Sequence, residues 1–151
     1  MSSKPRQSKH FPDSFFRVSI KGLYIKNGKM LLLKESKEKG EMWELPGGGL
    51  EFGEDPQEGL KREVLEEAGL TVTEVSKNPI YAWQNKFENK RHMDWYHSLV
   101  LAYKINLQNL EFRPSEECIE IGFFSLEELA NLNLNVQTKG LLAHFSLEDF
   151  K

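Results

Sequence analysis

A chain of 151 residues, 28% of them charged and with a net charge of −3, is a single domain with room for a real core. The mild charge gives no electrostatic case for nucleic acid or an acidic membrane surface as partner, and no run approaches the ~18 apolar residues of a membrane span. The single cysteine, Cys118, permits no intrachain disulfide, which fits a reducing compartment. The polar start, MSSKPRQSKHFPD, lacks the apolar stretch of a signal peptide, so a cytoplasmic location is expected.

Residues 1–13 read as a disordered tail and 14–151 as one domain. Phe15 to Ile25 and Lys29 to Lys34 are β-rich runs around Asn27-Gly28, a strong hairpin signal. Met42 to Leu45 reads as a short strand leading into a glycine turn, Gly47-Gly48-Gly49. A helix follows from Pro56 to Ala68: Asp55 is a good N-cap, Pro56 suits the first helical position, Glu58 stands where a capping-box acid belongs, and Gly69 supplies the left-handed stop. Thr71 to Val75, Ile80 to Trp83, Tyr96 to Ile105 and Ile119 to Phe124 are strand-like. Ser125 to Leu129 opens a second helix with a capping box, and Val136 to Phe145 suits a third. The alternation of strands and helices implies a mixed sheet between helices.

The first helix carries the chemistry. Leu60, Val64 and Ala68 form its buried stripe, with Leu65 at the edge. With Glu63 at zero, Glu67 lies at roughly +40° and Glu66 at roughly −60°, so three carboxylates share one arc beside the core. Acidic runs on helices are ordinarily solvated faces. Here Glu63 and Glu67 repel at i,i+4 with no structural return, and the glycine run brings bare backbone next to them. Carboxylate and carbonyl oxygens suit Mg²⁺ or Mn²⁺ rather than zinc. Arg62, at the edge of the arc, can orient one carboxylate through a bidentate pair.

Gly48, five residues, Glu54, seven residues, then Arg62-Glu63-Val64-Leu65-Glu66-Glu67-Ala68-Gly69-Leu70 resembles the signature of the Nudix hydrolases at every fixed position, and Trp43 with Pro46-Gly47-Gly48 resembles the family's approach to that box. The resemblance runs from about Phe15 to Leu129. It implies an α/β/α sandwich and Mg²⁺-dependent cleavage of the pyrophosphate linkage in a nucleoside diphosphate joined to another group. It also implies that Glu63 and Glu67 are the principal metal ligands, that Glu66 adds a carboxylate and Gly48 its carbonyl oxygen, and that Glu54, Arg62, Gly47 and Gly49 support the site. In the family the general base is a box glutamate or a carboxylate of a later loop. Glu63, Glu66 and Glu67 are thus catalytic candidates, and Glu120, with Glu116 and Glu117 nearby, is the later one.

Substrate choice is expected between Tyr81 and Tyr96, where Trp83, Phe87 and Trp95 can stack on a base and Lys86, Lys90 and Arg91 can reach a phosphate. Trp83, Lys86, Arg91 and Trp95 are the leading substrate-binding candidates, although hairpin tips are normally charged and strand tryptophans are normally core. His92 and His97 gain no catalytic role, and Cys118, among apolar residues, reads as packed. The markers of ADP-ribose, dinucleoside-polyphosphate, coenzyme A and NADH hydrolases are missing. A nucleoside triphosphate, damaged or not, and a nucleotide sugar stay open. The rival reading is a Nudix-like module that binds nucleotide or a protein partner without cutting. A calcium site lacks the alternating Asp/Asn loop that Ca²⁺ uses. Many relatives pair as homodimers, but no exposed apolar stripe here demands it.

Overall fold

The computed structural model describes residues 15–86 and 96–151; residues 1–13, expected as a tail, and most of the basic tip between Lys86 and Tyr96 lie outside that range. Asn27 (φ 53°) and Gly28 (φ 75°) both take positive φ, the requirement of a two-residue hairpin turn. They join β2 (Ile25–Lys26) to β3 (Lys29–Glu35), paired antiparallel with Lys26 opposite Lys29. The single run expected from Phe15 to Ile25 is divided. β1 (Phe15–Leu23) belongs to one sheet and β2 to another; between them the Tyr24 carbonyl accepts from the Leu31 N–H at 2.9 Å.

The glycine run is itself a strand rather than a turn. β4 is only Trp43–Glu44, and β5 (Gly47–Gly49) lies antiparallel to β1, with Ser19, Ile20 and Lys21 opposite Gly49, Gly48 and Gly47. The approach is too close for a side chain: a Cβ on Gly47 would stand 2.1 Å from the Ile20 carbonyl oxygen. After α1 (Pro56–Ala68) come β6 (Val72–Val75), β7 (Tyr81–Lys86), β8 (Tyr96–Leu107) and β9 (Cys118–Phe124). One sheet runs β5-β1-β8-β6 with β7 also on β8, and β1 and β8 are parallel; the other runs β2-β3-β4 with β9 on β3.

Both faces of this assembly are buried, which explains the continuous apolar runs Met30-Leu31-Leu32-Leu33 and Leu99-Val100-Leu101-Ala102. Alternation sends Leu31, Leu33, Tyr103 and Ile105 to one face, where Leu60, Val64 and Ala68 of α1 cover them. Met30, Leu32, Val100 and Ala102 go to the other, under α2 (Leu126–Ala130) and α3 (Val136–Leu141) with Leu129 and Leu141. Each buried aliphatic side chain contributes about 1.5–3 kcal/mol. Helices on both sides of mixed strands give the α/β sandwich.

The caps are only partly as expected. Asp55 accepts from the Glu58 N–H at 3.0 Å, but the Glu58 carboxylate faces Lys61 at 3.5 Å instead of reaching back. Ser125 and Glu128 form the full reciprocal box. Leu65 is 54% exposed, since it lies roughly 100° around the helix from Val64, beyond the edge of the buried stripe. The third helix stops at Leu141 rather than continuing to Phe145; the Phe145 N–H bonds the Leu141 carbonyl at 2.9 Å as the chain turns to place Phe145 in the core.

Gly140 on α3 lies against the Trp83 indole, and a Cβ there would stand 2.5 Å from its Cδ1 and Nε1 atoms. Helix propensity alone favours alanine by about 1 kcal/mol, but overpacking costs about 1–3 kcal/mol. Packing wins, so Gly140→Ala should lower the unfolding free energy in a denaturant titration; an unchanged or higher value contradicts this packing.

Candidate active site

β5 is the surface on which the box glutamates meet. The Gly47 N–H donates to Glu67 Oε1 at 2.6 Å. At the next residue, a Cβ on Gly48 would fall 2.5 Å from Glu63 Oε2, so only glycine leaves room for that carboxylate. Glu63 and Glu67, one turn apart on α1, therefore abut consecutive residues of one bare strand. On its opposite face β5 carries the Arg17 guanidinium, 2.3 Å from where a Gly49 Cβ would stand.

Arg62 organises the other acids. Its Nε and Nη2 grip Glu54 at 2.7 and 3.0 Å, a bidentate pair, while Nη1 donates to Glu63 Oε1 at 3.1 Å and to Glu66 Oε2 at 3.3 Å. Glu54 also receives the Glu51 N–H at 3.1 Å, tying the loop to the helix. Its carboxyl is held below the usual carboxylate range by Arg62 first and the Glu51 N–H second. The acidic arc thus has a basic partner. Glu66 is turned outward, its side chain 62% exposed against 19% for Glu63, and among the described residues no three acidic, histidine or cysteine side chains are gathered as a ready-made ion site. The donors that do meet β5 are all oxygen, and Arg62 holds only Oε1 of Glu63, leaving Oε2 at the glycine strand. That chemistry fits a hard divalent cation.

Glu67 is only 4% exposed. Burial pushes its carboxyl up to about 8, with Glu44 and Glu63 adding repulsion; Lys21 and the Gly47 N–H pull the other way. Lys21, Glu44 and Glu35 were not singled out from sequence. Lys21 is buried, its Nζ donating to the Leu45 and Gly47 carbonyls at 3.3 and 3.2 Å. Glu44 accepts from Asn135 at 2.7 Å, and burial followed by the Glu44 charge raises Glu35.

Glu120 lies exposed on β9 opposite Lys34 and, among the described residues, shares no hydrogen bond or ion pair with the box. Glu117 pairs instead with Lys39 at 3.7 Å. Trp83, a stacking candidate from sequence, is a core residue. It is 7% exposed, its indole N–H donates to the Gln137 carbonyl at 2.9 Å, and its ring stacks on His144. Arg91, Trp95 and the Lys86 side chain lie outside the described residues.

A carboxyl raised by burial takes up a proton on folding, so its contribution to stability is complete below about 4.5 and is lost as pH rises through about 8. Without divalent ions, the melting temperature should fall across that window, and Glu67→Gln, which keeps an acceptor for Gly47, should flatten the profile and melt higher at pH 8. Parallel profiles for the two proteins contradict this.

The pattern of the NUDIX domain family matches residues 16–145. The nucleoside triphosphatase NudI of Escherichia coli O139:H28 is 29% identical over 135 residues, covering 83% of this chain and 94% of that one. Among solved structures, the MutT NUDIX hydrolase of Burkholderia pseudomallei superposes with a TM-score of 0.70 at 21% identity, over 86% of this chain and 98% of its own. The E. coli ORF135 protein gives 0.71 at 21% identity, over 90% and 93%. These two share the fold. With the family pattern spanning most of its length and the box folded around a glycine strand, the chain belongs to the Nudix hydrolases, enzymes that act on pyrophosphate bonds.

Proposed function

We propose that this chain cleaves the pyrophosphate linkage of a nucleoside triphosphate, with Mg²⁺ or Mn²⁺ held by Glu63, Glu67 and the Gly48 carbonyl and with Glu66 available as a further ligand. The observation that carries the reading is the convergence of Glu63 and Glu67 on consecutive glycines of β5. A divalent cation, when bound, neutralises the charge of the diphosphate oxygens and makes water more acidic. Arg62 fixes one oxygen of Glu63 and locks the loop through Glu54. Gly47, Gly48 and Gly49 let the backbone come close to a phosphate chain. Glu66, exposed and, among the described residues, tied only by one 3.3 Å contact to Arg62, is the box carboxylate freest to accept a proton from the attacking water. Glu67, which accepts the Gly47 N–H, is a second candidate acceptor. Glu120, on another element, is third.

The similarity to a nucleoside triphosphatase puts a triphosphate ahead of a nucleotide sugar. No helix among the described residues is long and apolar enough to cross a membrane, in keeping with a cytoplasmic enzyme. The complete box weighs against a module that binds without cutting, since such a module gains nothing from a buried carboxylate whose charge is opposed by its surroundings.

The test is a panel of nucleoside triphosphates, damaged triphosphates and nucleotide sugars with Mg²⁺, reading phosphate or pyrophosphate release. At least one triphosphate should be cleaved, EDTA should abolish release, and Glu63→Gln or Glu67→Gln should lower kcat by roughly a hundredfold or more, the scale of losing a group that stabilises developing charge, with the fold retained. Metal binding without release from any member supports the binding module, and unchanged rates in both variants overturn the ligand assignment.

A further inference from the structure

The site holds a second buried ionisable group beside Glu67. Lys21 of β1 is 4% exposed, and its Nζ donates to the Leu45 and Gly47 carbonyls at 3.3 and 3.2 Å. Those carbonyls are its acceptors among the described residues, where it forms no ion pair with a carboxylate. Gly47 stands opposite Lys21 across the β1–β5 ladder, and the intervening Pro46 carbonyl is taken by the Gly22 N–H at 2.8 Å. Gly47 therefore serves two partners of opposite charge. Its N–H reaches the Glu67 carboxylate at 2.6 Å, and its carbonyl reaches the Lys21 ammonium.

A buried ammonium with only carbonyls around it opposes folding, and an apolar side chain of similar length does better in such a place unless the charge is used. The distribution of charge shows the use. Arg62 is committed to the outer acids, Glu54, Glu63 and Glu66. Of the charges around Glu67, Lys21 acts on it most strongly and Glu44 next, while Glu44 is turned to the Asn135 amide at 2.7 Å. Lys21 is thus the cation of the inner acids. Its acceptors point the same way. Main-chain carbonyl oxygens are the hard donors that divalent cations take, and at the entry to β5 two of them, on either side of Pro46, are already filled by this ammonium.

We propose that Lys21 is a built-in cation of the hydrolytic site, filling the Leu45 and Gly47 carbonyls in place of a divalent ion and limiting how tightly the glutamates of α1 hold the ion they bind. The inference rests on the reading of Glu63 and Glu67 as cation ligands and adds what restrains them. Like charges inside a protein repel across several ångströms, so a fixed ammonium beside Glu67 weakens the site's grip on a doubly charged ion.

Mn²⁺, whose free form is counted by electron paramagnetic resonance, is titrated at neutral pH into wild type, Lys21→Met, Lys21→Gln and Lys21→Arg, with melting curves to show that each is folded. The methionine and glutamine variants remove the charge, and the glutamine keeps an amide donor for the carbonyls. Both should bind Mn²⁺ more tightly than wild type, by roughly tenfold or more, the scale of one neighbouring unit charge in a protein. Lys21→Arg, which keeps the charge, should stay near wild type. A purely structural lysine predicts the reverse, looser binding in every variant that loosens β5. Should Lys21→Met fail to fold, Lys21→Gln carries the test. Unchanged or weaker affinity in a folded variant without the charge overturns the inference, as does equal tightening by Lys21→Arg. A wild type that binds no Mn²⁺ overturns the cation reading and this inference with it; one that binds Mn²⁺ without regard to residue 21 overturns the inference alone.

Discussion

The contact between Glu67 and the Gly47 N–H, 2.6 Å long and almost sealed from solvent, ties the acidic helix to the edge of the five-stranded sheet. It forces a carboxylate into the interior side of α1, where helix periodicity alone leaves room for a leucine. It also requires a partner strand without side chains, because Ile20 on one side and Glu63 on the other already occupy the space. The strand's sequence and the helix's sequence are thus two halves of one constraint. A carboxylate held this way is costly to ionise, and a cation that shares the β5 oxygens is the natural means of offsetting that cost.

Arg62 makes the bidentate pair its position suggests, with Glu54, and reaches two further acids. It neutralises the outer acids, Glu54, Glu63 and Glu66, while leaving Glu67 alone. The result is graded: one carboxylate buried and uncharged by preference, one half-buried with an oxygen free, one exposed and loosely held. A group of like charges on one helix becomes three distinct chemical environments, which is what ligand and base roles need from a short segment.

The local architecture was legible because its signals are short-range. Asp55, Pro56 and Gly69 bound the helix they were expected to bound, Asn27-Gly28 makes its turn, and the apolar stripe of Leu60, Val64 and Ala68 is fully buried. Gly47 to Gly49 looked like a turn because glycine has no strand propensity; its extended form comes from β1, a tertiary partner invisible in the local sequence. Arg17, Ser19 and Lys21 alternate along β1 with Val18 and Ile20. Ser19 on that strand meets α3, where Gln137, more than a hundred residues away, partners it; no local signal marks that contact. Trp83 failed as a stacking platform for the ordinary reason that it fills the core. Of the candidate site, helix spacing placed Glu63, Glu66, Glu67 and Arg62 on one arc and the family resemblance pointed to Gly48 and Glu54, whereas Lys21, Glu44 and Glu35 carry no motif and emerge only from burial.

The Glu67 carboxyl reports most directly on the central claim, and ¹³C NMR of the labelled side chain follows its proton. Without divalent ions it should titrate near 8, and saturating Mg²⁺ should move that titration well down as the cation takes the place of the proton. A carboxyl that titrates in the ordinary range near 4.5, and that ignores Mg²⁺, contradicts the account.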